Sequence, residues 1–190
     1  MADSPDFLGL PDDLPAPEDD GACAHLVGMA LPHVTLAATD GTAVDLAARA
    51  GRTVVYCYPR TGRPGEPSPA GWDEIPGARG CTPQSCAFRD HHAEIRAQGA
   101  EVFGLSAQTT DYQREAAERL RLPFPLLSDA ELRFASALRL PTFMVEGMTL
   151  LKRVTLILRN GRIEHVFYPV FPPDANAAAV LRWLAENPAT

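Results

Sequence analysis

Residues Thr53 to Tyr58, TVVYCY, form an unbroken run of β-branched and aromatic residues with no polar alternation. A strand with one wet face alternates apolar and polar positions, so a strand of this composition must be covered on both faces. The segments after it supply the cover. Glu101 to Ser106, EVFGLS, reads as a second such strand, and Thr110 to Arg121 as a charged amphipathic helix with Ala116 and Leu120 on its apolar side. Leu126-Leu127 is a short strand, Asp129 to Leu138 a helix, and Leu150 to Leu158 a further strand. Arg162 to Phe167 follows through an Asn160-Gly161 turn, a strong hairpin signal, and Asp174 to Glu186 closes with a helix. Upstream, the segment HVTLAATDG after Pro32 offers a short alternating strand ending in an Asp40-Gly41 turn, and Val44 to Ala50 a second strand or a single helical turn, which gives an N-terminal hairpin. Strands alternating with helices, plus antiparallel hairpins, define a three-layer α/β fold: a central mixed sheet flanked by helices. With 190 residues and no internal repeat, one domain over 25–190 is expected.

Two stretches interrupt this regular pattern. Pro59 to Gly80 holds five prolines and five glycines, so neither a helix nor a ladder can run through it. It is expected to be a long ordered loop or lid. Residues 1–24 carry Pro5, Pro11, Pro15 and Pro17 among acids, with little to bury, and read as a mobile or surface-draped arm. The net charge of −7 originates there: residues 1–20 hold seven acids and no base, which leaves 17 acids against 17 bases in the rest. A neutral body, an acidic arm and no basic run with interleaved aromatics argue against a nucleic-acid partner. Neither a signal-peptide pattern nor an apolar run of membrane-spanning length occurs, so a cytoplasmic protein with no membrane partner is expected.

Four cysteines in such a compartment are more readily chemical than structural. The stretch Gly80 to Asp90, GCTPQSCAFRD, sets Cys81 at the start of a helix expected to run to Gln98, with Thr82 as its N-cap and Pro83 in its first position. Unpaired backbone N–H groups and the positive end of the helix dipole then favour negative charge on the Cys81 sulfur. Cys86, five residues on, lies about 8–9 Å away at Cα along an intact helix, beyond the roughly 7 Å that a disulfide tolerates. The two sulfurs meet only if the first turn unwinds, which suits a switch better than a staple. Two other readings stand beside this one: both cysteines as small buried apolar residues, and a zinc site that recruits His91 and His92. Against zinc, ligands on one continuous helix point around its axis rather than converge. Cys57, inside the apolar strand, is expected to be buried and inert, and Cys23, in the arm, to be a free exposed thiol or a distant second resolver. Trp72 and Trp183 are expected to pack, and His91 and His92 to lie on the helix surface.

GCTPQSCAFRD resembles the active-site segment GCTxExCxFRD of peroxiredoxins of the bacterioferritin-comigratory-protein type, thiol peroxidases on a thioredoxin-like fold. VVYCYPR at Val54 to Arg60, VFGLSAQ at Val102 to Gln108, LPFPLLSD at Leu122 to Asp129 and RVTLILRNGRIEHV at Arg153 to Val166 resemble further segments of that family in order. The resemblance implies a thioredoxin-like fold, with Cys81 as the peroxidatic cysteine and Cys86 as the helix-borne resolving cysteine. It also implies Arg153 as the arginine that holds thiolate and peroxide, and Pro59 as the residue that shields the site. The implied reaction reduces peroxides through a sulfenic acid and an intramolecular disulfide, which a thioredoxin-like protein recycles. No metal, haem or flavin is implied, and the assembly is expected to be a monomer or weak dimer. Two departures stand out. Ala78 occupies the position of the family's active-site hydroxyl, with residues 62–79 as an inserted loop and Thr61 as the candidate replacement, and Gln84 stands where the family commonly has glutamate. A peroxide sensor or holdase using the same cysteines is the alternative function.

Overall fold

The computed structural model describes residues 9–189. The expected central strand is β3 (Arg52–Cys57), buried at all six positions. Its side chains alternate as a pleated strand requires: Val54 and Tyr56, with Tyr58 just beyond, face one apolar core, while Val55 and Cys57 face the other. The hairpin before it is β1 (Thr35–Ala38) and β2 (Ala43–Asp45), followed by a single 3-10 turn at Leu46–Ala48, so both of the expected alternatives for that stretch are present in succession. The remaining sheet strands are β4 (Ala100–Ser106), β5 (Leu126–Ser128), β8 (Val154–Arg159) and β9 (Arg162–Phe167). Among the described residues they form one seven-stranded sheet, in the order β2-β1-β5-β4-β3-β8-β9. The β3–β4 and β4–β5 pairs are parallel and the others antiparallel. It is the mixed thioredoxin-like sheet that the sequence implied.

Helices cover both faces. α1 (Cys81–Asp90), α2 (His92–Ala97) and α5 (Asn176–Glu186) send Phe88, Ile95, Val180 and Leu184 into the core that contains Tyr56. α3 (Thr110–Arg119) packs beside β5, capped by Thr109 Oγ1. α4 (Arg133–Leu138) joins the opposite core through Phe134 and Leu138. Asp129 lies outside that helix and caps it, its carboxylate accepting from the N–H groups of Phe134 and Ala135 at 3.1 and 2.8 Å.

Three expectations require correction. The helix expected over Cys81 to Gln98 bends at His91 (φ −94°, ψ 5°) into α1 and α2. Periodicity does not reveal the bend, because Phe88 and Ile95 remain on one buried face across it. The single strand expected over Leu150 to Leu158 is two strands. β7 (Met148–Leu151) pairs with β6 (Thr142–Val145) in a separate hairpin, closed by Glu146 and Gly147, both at positive φ as a two-residue turn requires. The chain then passes through Lys152 and Arg153 into β8, so Arg153 occupies the joint between two sheets. The third concerns Cys23, in the arm. Residues 1–8 of the arm lie outside the described part, and the rest drapes over the surface, one of the two forms expected: Asp20 accepts from Lys152 Nζ at 2.9 Å and from the Tyr168 hydroxyl at 2.8 Å. Cys23, expected to be exposed, is 6% accessible and shares a core with Leu26 and Cys57. The physical reason is that Cys23 and Leu26 are apolar enough to bury even though the acids around them are not.

The loop from Pro59 to Gly80 is ordered around Trp72, in a 3-10 turn at Trp72–Glu74. Trp72 packs with Ala78 against Val145 and Leu150 of the β6–β7 hairpin, its ring 6.2 Å from that of Phe143. A bond from the Ala70 N–H to Glu146 Oε1 at 3.0 Å ties the same two segments together. Among the described residues, no helix is long and apolar enough to cross a membrane.

Candidate active site

Gly80, not Thr82, precedes the first helical residue, so Cys81 itself opens α1, and Thr82 and Pro83 occupy its first turn. Proline is tolerated there because the first-turn N–H groups have no partner within the helix. Gly80 has φ +107°, and a Cβ on it would come within 2.7 Å of Pro173 Cγ, so only glycine lets the chain turn into the helix at this point. The position of Cys81 therefore depends on a residue without a side chain.

Cys81 is 4% accessible, and its sulfur lies 3.3 Å from Arg153 Nη2 and 3.7 Å from the Ala78 carbonyl oxygen. Arg153 is itself buried. Its Nε donates to the Gly77 carbonyl at 3.3 Å, Nη2 to the carbonyls of Ala78 and Arg79 at 3.1 and 3.3 Å, and Nη1 to Gln84 Oε1. Each of those oxygens is neutral. Among the described residues, the sulfur of Cys81 is the one hydrogen-bond partner of this buried guanidinium that can carry negative charge. An always-charged arginine held in such a pocket favours an anion at the sulfur and at any oxygen leaving from it.

Gln84 is fully buried on the next turn of α1. Its Nε2 donates to Asn176 Oδ1 at 3.0 Å, and Asn176 also accepts from Thr155 Oγ1 at 2.7 Å. The sequence identifies Gln84 but not Asn176 or Thr155, since nothing local to either points 70 or more residues away to α1. Tyr56 supports the same helix from below, stacked on Phe88 at 4.4 Å with its hydroxyl donating to Ser85 Oγ at 3.1 Å.

Cys86 lies within the same unbroken helix, and among the described residues no cysteine is in a disulfide. Burial pushes its thiol pKa up, only partly offset by the neighbouring Arg89. Burial also pushes the Cys23 thiol up to about 12 and the Cys57 thiol up as well, which makes both poor nucleophiles.

Above Cys81 opens a cleft of about 260 Å³, lined by Arg60, Gly62, Ser68, Trp72, Arg79 and Thr82 among others. Residues of the loop over 62–79 thus form part of its wall. Pro59 and Thr61 are buried and do not line it. The Thr61 N–H and hydroxyl both go to Gln108 Oε1, at 2.9 and 3.3 Å, and Gln108 Nε2 donates back to the Thr61 carbonyl. The structure therefore brings Cys81 and Arg153 together, keeps Cys86 one and a half helical turns away, and gives Thr61 no bond to the sulfur. The hydroxyls that do line the cleft are those of Ser68 and Thr82. His91 is bonded to Glu94 and His92 lies against Phe124. Among the described residues, no three potential metal ligands cluster.

Residues 26–181 match the Redoxin family. The chain is 35% identical over 159 residues to a chloroplastic peroxiredoxin Q of Oryza sativa subsp. japonica, covering 83% of this chain and 65% of that protein. It thus spans a little under two thirds of the length of the rice relatives it matches. It is 33% identical to the chloroplastic peroxiredoxin Q of Sedum lineare, over 83% of this chain and 76% of that one. The fold is similar to the crystal structure of peroxidoxin BcpB from Mycobacterium tuberculosis, with a TM-score of 0.70 and 26% identity over 87% of this chain and 100% of that one. The chain belongs to the Redoxin family and, within it, to the peroxiredoxins of the peroxiredoxin Q or bacterioferritin-comigratory-protein type.

Proposed function

We propose that this protein is a thiol peroxidase that reduces hydrogen peroxide and organic hydroperoxides at Cys81. The observation that supports this most directly is the 3.3 Å contact between the Cys81 sulfur and a buried arginine whose other partners are all neutral. In the proposed reaction the Cys81 thiolate attacks one peroxide oxygen, the O–O bond breaks, and the second oxygen leaves as water or alcohol after taking a proton. Cys81 is left as a sulfenic acid. Arg153 holds the charge first on sulfur and then on the departing oxygen. Pro59, buried at the end of β3, keeps solvent from the back of the site, and Thr61 serves by fastening the start of the inserted loop to Gln108.

The Cys86 thiol then attacks the sulfenic sulfur, an S–S bond forms and water leaves. Both thiols are buried in one helix, so this step requires the first turn of α1 to unwind. A thioredoxin-like dithiol returns the pair to thiols and is itself oxidised. A reducing compartment such as the cytoplasm supplies that partner, and a monomer or weak dimer suffices for the cycle. Intact-mass and peptide mass spectrometry after one equivalent of hydrogen peroxide tests the pairing, which is expected to join Cys81 to Cys86. Peroxide consumption with a thioredoxin system tests turnover. Consumption of many equivalents is expected; consumption that stops near one equivalent would replace the enzyme by a peroxide sensor or holdase.

A further inference from the structure

The match to the Redoxin family begins at residue 26, yet residues before it reach the candidate active site. Gly9 and Leu10 line the cleft over Cys81 together with Arg60, Pro67 and Trp72. A methyl of Leu10 lies 3.0 Å from the point a Cβ would occupy on Gly80, the residue immediately before Cys81. The absent side chain of Gly80 is thus the space in which Leu10 and Pro173 meet. Farther along, Pro17 packs 3.3 Å from the Cβ position of Gly77, whose carbonyl holds Arg153 Nε. Asp20 and the buried Cys23 then fasten the segment to the body. The bonds from Lys152 and Tyr168 hold the Asp20 carboxyl down to about 2, so the fastening stays charged throughout the physiological range.

We propose that Leu10 is a specificity-determining residue: it forms one wall of the cleft and limits the bulk of the hydroperoxide that reaches the Cys81 sulfur. Two unrelated parts of the chain, the loop over 62–79 and the N-terminal arm, line the cleft together with Cys81. At about 260 Å³ it is smaller than the roughly 300–1,000 Å³ of sites that enclose drug-sized ligands. The substrate class it fits is hydrogen peroxide and short alkyl hydroperoxides, in preference to aryl or branched ones. Leu10 has the right character for such a wall, being apolar, half-buried and packed with Pro173 over the glycine that precedes Cys81. The substrate named here rests on the peroxidase reading; the narrowing of access to the sulfur does not.

Two full-length variants test it, Leu10→Ala and Leu10→Phe, each with two measurements. The first is the rate of Cys81 oxidation by cumene hydroperoxide relative to hydrogen peroxide. The second is alkylation of Cys81 by pyrenyl maleimide relative to iodoacetamide, resolved by peptide mass spectrometry. In both measurements, alanine is expected to raise the bulky-to-small ratio about fivefold and phenylalanine to lower it, as expected when a few carbons are removed from or added to an apolar wall. A loosened fold would move both variants in the same direction, so the opposite signs distinguish a wall from damage. Ratios that stay at the wild-type value in both variants, or that shift the same way, overturn the proposal. If the alkylation ratios diverge while the wild type consumes no peroxide, the wall stands and the peroxidase reading falls. If peroxide is consumed and neither ratio moves, the reverse holds.

Discussion

Asn176, at the start of α5, accepts a hydrogen bond from the side-chain amide of Gln84 at 3.0 Å, and this bond fixes which end of Gln84 faces Arg153. Arginine only donates, so Gln84 must present its oxygen to Arg153 and its nitrogen to Asn176. Asn176 must then present Oδ1, which the Thr155 hydroxyl also meets at 2.7 Å. Thr155 and Gln84 both donate to Asn176, and Arg153 donates both to Gln84 and to the Cys81 sulfur, so one connected set of bonds links the sheet to the sulfur. Replacing Asn176 by Leu leaves a buried amide and a buried hydroxyl without their acceptor, at a cost of about 1–3 kcal/mol for each group. A lower urea midpoint is expected, together with slower oxidation of Cys81, because the freed amide no longer holds Arg153. Asn176→Asp retains the acceptor oxygen and should recover more of the oxidation rate than the Leu variant. Equal rates in the two variants would show that the relay does not orient Arg153.

Cys86→Ser should leave the first reaction with peroxide intact and trap the sulfenic acid at Cys81, which excess peroxide then drives to the sulfinic form. Mass spectrometry reads this as successive additions of one and two oxygens to the peptide containing Cys81. A Cys81 disulfide to Cys23 or Cys57, with turnover preserved, would assign resolution to another thiol. The raised pKa that burial gives both of these cysteines is the reason to expect neither.

Trp72 belongs to a small apolar cluster separate from the two main cores, so its loss should act locally. Trp72→Ala removes a large side chain between the inserted loop and the β6–β7 hairpin, worth about 3 kcal/mol of docking. The urea midpoint of the whole protein should change little. Tryptic cleavage at Arg79, in the same loop, should accelerate by about a hundredfold, as the opened loop becomes more populated. Unchanged cleavage would show that Glu146 and the backbone, rather than Trp72, hold the loop in place.

His165 stacks on Trp183 at 4.7 Å and meets Phe167 edge-on, and burial holds its pKa below the ordinary value of 6.5. Above that value both folded and unfolded rings are neutral, and stability is independent of this residue's protonation. As pH falls through 6.5 the unfolded chain takes up the proton first, so stability declines until the folded ring is protonated as well. His165→Phe should flatten part of the fall in melting temperature between pH 7.5 and about 5.5. His92, lowered for the same reason, retains its share of the slope in this variant. A variant whose melting temperature falls as steeply as the wild type's would remove His165 as a contributor.

Much of the fold was legible because it is written in local patterns. The unalternated Thr53 to Tyr58 run required cover on both faces, and it became a strand with both faces buried. The Asn160-Gly161 turn fixed the β8–β9 hairpin, and the helix start at Cys81 followed from Thr82 and Pro83, although the cap itself proved to be Gly80. The bend at His91 left no trace, because its helix keeps one apolar face across it. The β6–β7 hairpin was missed because its strands are only four residues each and its turn is Glu-Gly rather than Asn-Gly.

The sequence by itself determined the layers, the central strand and the reactive segment, since strand and helix periodicity and helix-start chemistry act over a few residues. Apart from Arg153, which the family resemblance implies, the tertiary structure alone decided what surrounds the sulfur. Arg153 reaches Cys81 from 72 residues away because the chain changes sheets at that point, and Asn176 meets Gln84 across 92. Leu10 arrives from a segment whose composition promised no packing, and Thr61 is drawn to Gln108 instead of the sulfur. Each of these outcomes depends on which buried donor finds which acceptor once the layers close. That competition is decided by three-dimensional proximity and the cost of leaving polar groups unpaired, and neither is encoded in local spacing.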